Sequence, residues 1–223
     1  MIPLNDYEII LASGSSRRKD FLGSLSIPFT IKTHQVDETF PPELKGKEIA
    51  EFIVRQKNAP FVNSLRPKQI VITADTIVWC ENRYLGKPEN KKVAREMLKF
   101  LSGKSHEVIT SVGFLTNKKF DVITETTKVY FKNLTDQEID QYIEEASPLD
   151  KAGGYGIQDW IGAIGITHIE GSYTNVVGLP LAQVKEKLSI LVQEEWVNWI
   201  KNRILWKHDP QLNSKNIILT PFS

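Results

Sequence analysis

Two adjacent arginines follow an apolar run and a group of small residues near the start of the chain. Residues 8–20 read EIILASGSSRRKD, which predicts a strand, a turn and then a helix that begins at Arg17 and Arg18. Three serines could cap this helix: Ser13, Ser15 and Ser16. Backbone N–H groups and the helix dipole attract anions at such a turn, so two cations there are unfavourable unless a polyanion binds. The stretch therefore indicates a phosphate site, although an isolated arginine pair is more often an ordinary surface feature.

A single carboxylate interrupts an apolar, β-branched run in VITADTIVW, residues 71–79. Burying Asp75 in such a strand is costly unless it is paired or binds a metal. Two interpretations are equally weighted: a metal ligand or general base, and a structural aspartate bonded to backbone N–H groups. Glu38 in QVDETF could join Asp75 around a divalent cation, with Asp37 as the competing ligand. Such oxygen ligands suit magnesium or manganese.

Other candidates are individually weaker. Lys57 in RQKNAP and Lys87 in LGKP are each more often solvated surface charges. The segment DKAGGYGIQ, residues 150–158, allows close approach of the backbone to a ligand, and the amide of Gln158 could read the edge of a pyrimidine base. The alternative is a loop whose glycines only permit turns. SGKSHE, residues 102–107, resembles the end of a phosphate loop, but it follows a predicted helix and is interpreted as a helix stop.

Composition limits the class of protein. The formal net charge is +1, 41% of the 223 residues are hydrophobic and 25% are charged, which is typical of a globular protein without a global affinity for nucleic acid or membranes. The single cysteine, Cys80, excludes an internal disulfide. The start of the sequence lacks the pattern of a signal peptide, and no apolar run is long enough to span a membrane. A cytoplasmic location is expected.

Alternating strand and helix patterns predict an α/β protein. Predicted strands are Tyr7–Ala12, Phe29–His34, Gln69–Cys80, Val108–Thr116 and Val122–Phe131, and predicted helices are Arg17–Leu25, Lys47–Asn63, Glu89–Leu101, Thr135–Glu145 and Pro180–Val192, the last continuing to about Trp206. We assign residues 1–192 to one domain and 193–223 to a C-terminal extension. Trp196, Trp199, Ile200 and Arg203 could form one stripe of that extension, as a buried face or a homodimer contact rather than a membrane-surface helix.

Six segments in this order resemble the Maf family of nucleoside triphosphate pyrophosphatases: LASGSSRRKDFL, ADTIV, LGKP, LSGKSHEVIT, DKAGGYGIQ and EGSYTNVVGLPL. The likeness extends from about residue 8 to residue 190. It implies an elongated, curved mixed sheet flanked by helices, with two lobes around a deep cleft, similar to the inosine triphosphate pyrophosphatases. It also implies hydrolysis of a nucleoside triphosphate to the monophosphate and pyrophosphate, assisted by a divalent metal.

The resemblance also implies roles for single residues. Those expected to bind substrate are Ser13, Arg17, Arg18, Lys57 and Lys87, and those expected to hold the metal are Glu38 and Asp75, with Asp75 as the proton acceptor. Arg17, Thr76 and Gln158 are typical of the subgroup that acts on dTTP and UTP rather than on 7-methyl-GTP. The alternative is a nucleotide-binding regulator of cell division with little catalysis.

Four positions depart from the family pattern. Ser16 replaces a common proline, Asn58 a common alanine, and Asp159 and Trp160 stand where a glycine is more usual.

Overall fold

One mixed sheet organises the protein. The structure is a computed structural model that describes residues 6–146 and 148–208, with residues 195–208 described as backbone only. Its strands are β1 (Glu8–Leu11), β2 (Phe29–Ile31), β3 (Gln69–Cys80), β4 (Arg83–Leu85), β5 (Ser105–Leu115), β6 (Phe120–Phe131) and β7 (Ile166–Glu170). They are ordered β2-β1-β3-β5-β6-β7, and β4 also pairs with β3. β1 is parallel to both β2 and β3, whereas the pairs from β3 to β7 are antiparallel, so the predicted mixed α/β sheet is confirmed.

The long strand β3 has a gap along one of its edges. β1 pairs with it as far as Ile72, and β4 begins to pair with it at Val78. Between these two residues β5 alone accompanies β3, on the opposite edge. The parallel strands β1 and β2 end beside this gap, which is where open α/β sheets place their ligand sites.

Helices cover both faces of the sheet. They are α1 (Ser16–Ser24), α2 (Lys47–Asn58), α3 (Lys91–Leu101), α4 (Asp136–Ala146), α5 (Trp160–Gly165), α6 (Tyr173–Val177) and α7 (Leu181–His208). α2 packs on one face through Ile49 and Ile53, which meet Ile77 and Ile109. The other face carries two separate apolar cores. One lies under α1 and α7, and the second lies under α3, α4 and α5. The gap in β3 lies between these two cores, so the predicted lobes and cleft are present.

Local sequence signals explain the helix starts. Ser15 caps α1 by accepting a hydrogen bond from the backbone N–H of Arg18 at 3.5 Å, and Asn90 caps α3 in the same way through Val93. Gly103, at φ +71°, ends α3 in the left-handed region, which confirms that SGKSHE is a helix stop. Of the three serines predicted as caps of the first helix, the structure selects Ser15.

Several predicted boundaries were too wide, and four elements were not predicted: β4, β7, α5 and α6. β2 ends at Ile31 instead of His34, and α2 ends at Asn58, followed by a 3-10 turn at Ala59–Phe61 that contains Pro60. The sequence indicates a turn at Glu81–Tyr84, but β4 begins within it at Arg83, and β7 was not predicted because its pattern ITHIE is short. The bounds of β3 are confirmed residue for residue.

α7 runs continuously through the boundary proposed at residue 192. The two-part division of the chain therefore stays a prediction, and the tryptophan stripe falls on side chains outside the described residues. No helix among the described residues is long and apolar enough to cross a membrane.

Candidate active site

A cavity of about 510 Å³ opens at the gap in β3. The parts of the chain that line it include the turn after β1 with the start of α1, the segment after β2, α2, β3, β5, the loop after β4, the glycine-rich loop (residues 150–158) and the end of α6 with Gly178. The cavity thus brings together all the predicted site residues: Ser13, Arg17, Arg18, Glu38, Lys57, Asp75, Thr76, Lys87 and Gln158. Residues that are far apart in the sequence share one site because β1, β2 and β3 end or open at the same place.

Arg18 is held almost completely by the protein. Its Nε donates to the carbonyl of Gly178 at 2.9 Å, and its Nη1 donates to the carbonyl of Ala74 at 2.9 Å and to Ser13 Oγ at 3.3 Å. Its Nη2 donates to Thr76 Oγ1 at 3.0 Å. Four of the five N–H groups of a guanidinium are thereby satisfied. Arg18 contributes a fixed positive charge to the cavity wall and ties the turn after β1 to the gap in β3.

Burial lowers the pKa of Arg18 below its ordinary value, while the nearby Asp75 carboxylate opposes this shift. An arginine remains charged in either case, so the buried cation needs a compensating anion. Asp75 supplies part of that compensation from the same stretch of β3.

Arg17 points in a different direction from its neighbour. Its Nη1 lies 2.6 Å from Asp150 Oδ2, and its side chain is only one quarter exposed. Asp150 begins the glycine-rich loop and also contacts Lys151 Nζ at 3.0 Å. This ion pair connects the turn after β1 with the loop that carries Gln158.

Lys57 lies between two carboxylates. Its Nζ is 2.7 Å from Asp75 Oδ1 and 3.0 Å from Glu38 Oε1. Asp75 is buried, whereas Glu38 is about half exposed. The second oxygen of Asp75 has no hydrogen-bond partner in the described part of the chain, and it is therefore available to a ligand or to water.

The end of α2 that carries Lys57 is fixed by its neighbour. The amide Nδ2 of Asn58 donates to Thr73 Oγ1 at 2.5 Å and to the carbonyl of Val54 at 3.0 Å. Asn58 and Thr73 are both buried, so this bond joins α2 to β3 two residues before Asp75. Asn58, which replaces the alanine common in the family, thus helps to hold the end of α2 that carries Lys57.

The structure distinguishes the two candidate metal ligands after β2. Asp37 is exposed, and its carboxylate accepts a hydrogen bond from the backbone N–H of Thr39 at 2.9 Å. Glu38 lines the cavity. Partial burial disfavours the ionised form of Glu38, but the cations Lys57, Lys87 and Arg18 outweigh it and hold its pKa below the ordinary value. Glu38 is therefore an anion at neutral pH and faces Asp75 across one ammonium group.

The glycine-rich loop is held in place by hydrogen bonds from both sides. The backbone N–H of Gly153 donates to the carbonyl of Gly86, next to Lys87, at 3.0 Å. The hydroxyl of Tyr142 accepts from the backbone N–H of Gly156 at 3.0 Å and donates to Asp159 Oδ2 at 2.6 Å. Asp159, a departure from the family pattern, thus anchors the rim beside Gln158.

Sequence reasoning missed Lys151 and Thr110. Lys151 lines the cavity and is mostly buried between Asp150 and Asp159, but a lysine in a loop carries no sequence signal of its own. Thr110 lies opposite Thr76 in the sheet, and its hydroxyl is 3.0 Å from that of Thr76. Finding it required the register of β3 against β5, which the sequence does not specify.

The family model described as "Maf-like protein" matches residues 8–191. The chain belongs to the Maf family. A relative from Flavobacterium johnsoniae is 50% identical over 85% of this chain and 97% of its own length, and one from Christiangramia forsetii is 51% identical over 83% and 94%. Both relatives bear the name dTTP/UTP pyrophosphatase.

One solved structure that is similar to this Maf protein has a much lower sequence identity than these relatives. A HAM1 protein from Coxiella burnetii covers 84% of this chain and 99% of its own, at 16% identity and a TM-score of 0.44.

Proposed function

We propose that this Maf protein hydrolyses nucleoside triphosphates, dTTP and UTP in preference to others, to the nucleoside monophosphate and pyrophosphate. The observation that carries the proposal is the cluster of Asp75, Lys57 and Glu38 at the gap in β3, in the same cavity as the turn after β1. The names of relatives about half identical in sequence support the same activity.

Binding of the triphosphate depends on charge. A nucleoside triphosphate carries about four negative charges at neutral pH, and the cavity offers Arg17, Lys57, Lys87 and Lys151 as cations with Arg18 in its wall. Arg17 must exchange Asp150 for a phosphate oxygen if it contacts the substrate directly. Ser13 and the N-terminal turn of α1 provide hydrogen-bond donors for the same anion.

Asp75 is the proposed proton acceptor. The oxygen of a water molecule forms a bond to the α-phosphorus while a proton passes from that water to Asp75. The bond from the α-phosphorus to the bridging oxygen breaks, and pyrophosphate leaves with the electron pair. Lys57 supports this role because it holds Oδ1 of Asp75, a residue that lines the cavity, and leaves Oδ2 able to bind a water.

A divalent cation fits this site as a partner of the substrate. Among the described residues no group of three or more acidic, histidine or cysteine side chains could hold a metal ion. Glu38 and Asp75 both contact Lys57 Nζ and so converge on one region, and magnesium commonly binds through one or two carboxylates plus substrate phosphates. We assign the cation to these two residues. When bound, magnesium or manganese would neutralise phosphate charge and assist departure of pyrophosphate.

The base preference is assigned to the end of the glycine-rich loop. Uracil and thymine present an acceptor beside a donor at O4 and N3–H, whereas cytosine presents the reverse. Gln158 can satisfy either arrangement by rotating its amide, so its neighbours must fix it. A Cβ placed on Gly156 would lie 2.7 Å from Asp159 Oδ2 and 3.0 Å from Gln158 Nε2, so both side chains border this glycine and Asp159 is one of the neighbours of Gln158.

The proposal is tested with a panel of nucleoside triphosphates in the presence of magnesium or manganese. Pyrophosphate and orthophosphate are quantified separately. We expect pyrophosphate as the first product, with dTTP and UTP turned over faster than CTP, ATP and GTP. Orthophosphate as the first product, or equal turnover of ATP, would contradict the proposal.

A nucleotide-binding regulator with little catalysis is the second candidate. The same cations would serve it, but a buried carboxylate that faces the phosphates would weaken binding through repulsion. Under this alternative Asp75→Asn would tighten nucleotide binding and leave no turnover to lose. Asp75 therefore separates the two functions in a single variant.

A further inference from the structure

Five residues form a closed hydrogen-bond circuit that reaches from the cavity wall into the protein: Arg18, Thr76, Thr110, Asn175 and Gly178. Arg18 Nη2 donates to Thr76 Oγ1 at 3.0 Å, and Thr76 Oγ1 is 3.0 Å from Thr110 Oγ1. Thr110 Oγ1 donates to the carbonyl of Asn175 at 3.0 Å, and the same carbonyl accepts from the backbone N–H of Gly178 at 3.0 Å. The carbonyl of Gly178 accepts from Arg18 Nε, which closes the circuit.

Two groups fix the direction of every bond in this Arg18 circuit: the guanidinium of Arg18 can only donate, and the main-chain carbonyl of Asn175 can only accept. A carbonyl can only accept, so the single hydroxyl proton of Thr110 goes to Asn175. Thr110 must then accept from the hydroxyl of Thr76. Thr76 has thereby used its own proton and can only accept from Arg18, whose guanidinium can only donate. Each hydroxyl has one role, and no other arrangement satisfies all the contacts.

Asn175 is itself held without freedom to rotate. Its side chain is fully buried, and Nδ2 donates to the carbonyl of Val108 at 3.0 Å and to Thr127 Oγ1 at 2.9 Å. Turning the amide over would place its oxygen against the carbonyl of Val108. The present orientation leaves Oδ1 buried without a partner among the described residues, which is a cost that the protein carries to keep this anchor.

The Arg18 circuit lies between two apolar clusters and belongs to neither of them. It occupies the junction between the two apolar cores on one face of the sheet, directly behind the gap in β3. Thr76 and Asp75 are consecutive, so their side chains lie on opposite faces of the strand. A displacement of Thr76 and Arg18 on one face consequently shifts the backbone that presents Asp75 on the other.

We propose that Thr110 is a positioning residue for catalysis at this site, acting through the hydroxyl of Thr76 to fix Arg18 and the adjacent Asp75. The proposal rests on the hydrolytic function proposed above. Thr110 is not among the residues that line the cavity, and its hydroxyl is bound to the main-chain carbonyl of Asn175. Gly178 is suited to its place in the Arg18 circuit. Its φ of +123° favours glycine, and a Cβ there would lie only 3.4 Å from Thr76 Oγ1.

The test compares three variants of the full-length protein that separate the hydroxyl from packing. Thr110→Ser keeps the hydroxyl, Thr110→Ala differs from serine by that hydroxyl alone, and Thr110→Val keeps the shape of threonine. We expect kcat for dTTP to fall roughly 10- to 100-fold in the alanine and valine variants and less than about threefold in the serine variant. KM should change less than kcat in all three. Equal loss in serine and alanine, or wild-type kcat in a folded alanine variant, would overturn the proposal.

A matched control and a double variant test the route. Thr116 lies just beyond the far end of β5, is also buried, and bonds only within its own turn, to the backbone of Lys118 and Lys119. Thr116→Val should therefore leave kcat within about twofold of wild type whatever its effect on stability. In a Thr76→Val background, adding Thr110→Ala should lower kcat by less than about twofold, because the route through Thr76 is already broken. Independent, additive losses would contradict action through Thr76.

A readout without turnover separates this proposal from the proposed function. The Nε–H proton of Arg18 can be followed by NMR, and its exchange with solvent should be about tenfold faster in Thr110→Ala than in wild type or Thr110→Ser. Unchanged exchange in the alanine variant would overturn the positioning role. A wild-type protein that releases no pyrophosphate yet shows this exchange pattern would refute the hydrolytic function alone.

Discussion

Lys57 Nζ lies 2.7 Å from Asp75 Oδ1, and it joins the end of α2 to the stretch of β3 that pairs with β5 alone. The two side chains are 15% and 10% exposed, so neither charge is well solvated and each depends on the other. Loss of this ion pair would therefore disturb both the end of α2 and the stretch of β3 that carries Asp75. It also fixes which oxygen of Asp75 remains available for chemistry.

Asp75→Asn tests the proton acceptor. The amide oxygen can still accept from Lys57, so the fold and the position of Lys57 should be retained while the base is lost. We expect kcat for dTTP to fall by about 10²–10⁴ with a nucleotide Kd within about fivefold of wild type. Single-turnover rates and calorimetric binding measure the two quantities, and an unchanged rate would remove Asp75 from the mechanism.

Glu38→Gln and Asp37→Asn form a matched pair for the metal assignment. Each exchanges one carboxylate for an amide in the same segment, but Glu38 alone lines the cavity. Glu38→Gln should raise the magnesium concentration required for half-maximal activity by roughly tenfold, because one of two anionic ligands is lost. Asp37→Asn should leave that concentration unchanged. A larger effect of Asp37→Asn than of Glu38→Gln would show that Asp37 is the metal ligand and that the assignment to Glu38 is wrong.

Part of this site could be predicted from residue types and part could not. Asp75 stands out in the sequence because a carboxylate inside a β-branched run must be compensated. The sequence does not show in which direction the side chains of the two adjacent arginines point. Consecutive residues on a helix differ in direction by about 100°, so one of the pair turns toward Gly178 and the other toward Asp150. Those partners are 160 and 133 residues away in the chain.

The same limit applies to the sheet. The apolar run of β3 defines both its ends, and its bounds were predicted correctly. The gap along its edge depends on where β1 stops and β4 begins, which follows from strand pairing and not from any residue in β3. Thr110 belongs to the same category, since its role arises from its register opposite Thr76.

Asp150→Asn tests whether the free protein holds Arg17 away from the substrate. The Arg17–Asp150 pair is partly exposed, so it is worth little and can be exchanged for a phosphate oxygen. Removing the competing carboxylate should lower KM for dTTP by roughly two- to fivefold, because Arg17 no longer has to leave an ion pair. Asp140→Asn is the control, since Asp140 pairs with Arg95 on the outer surface between α3 and α4. A higher KM in Asp150→Asn would show instead that the pair supports the binding conformation of the loop.

His106 should make the fold sensitive to acid. It is buried, its Nε2 is 2.7 Å from the hydroxyl of Tyr155, and burial lowers its pKa to about 4. Above pH about 6.5 the imidazole is neutral in both the folded and the unfolded chain and contributes nothing to the pH dependence. As pH falls from about 6.5 to 4, the unfolded chain binds a proton that the folded chain refuses, so stability is lost by an amount on the order of 3 kcal/mol.

His106→Gln should reduce this acid loss, because glutamine offers a polar partner to Tyr155 but does not titrate. The measurement is the free energy of unfolding in urea for both proteins at several pH values between 7 and 4. We expect the difference between variant and wild type to shift in favour of the variant as pH falls through this window. Carboxylates titrate in the lower part of the same range, but they are common to both proteins and cancel in the difference. Parallel curves would mean that His106 takes up its proton in the folded state as readily as in the unfolded chain, which its burial against Phe131 and Tyr155 argues against.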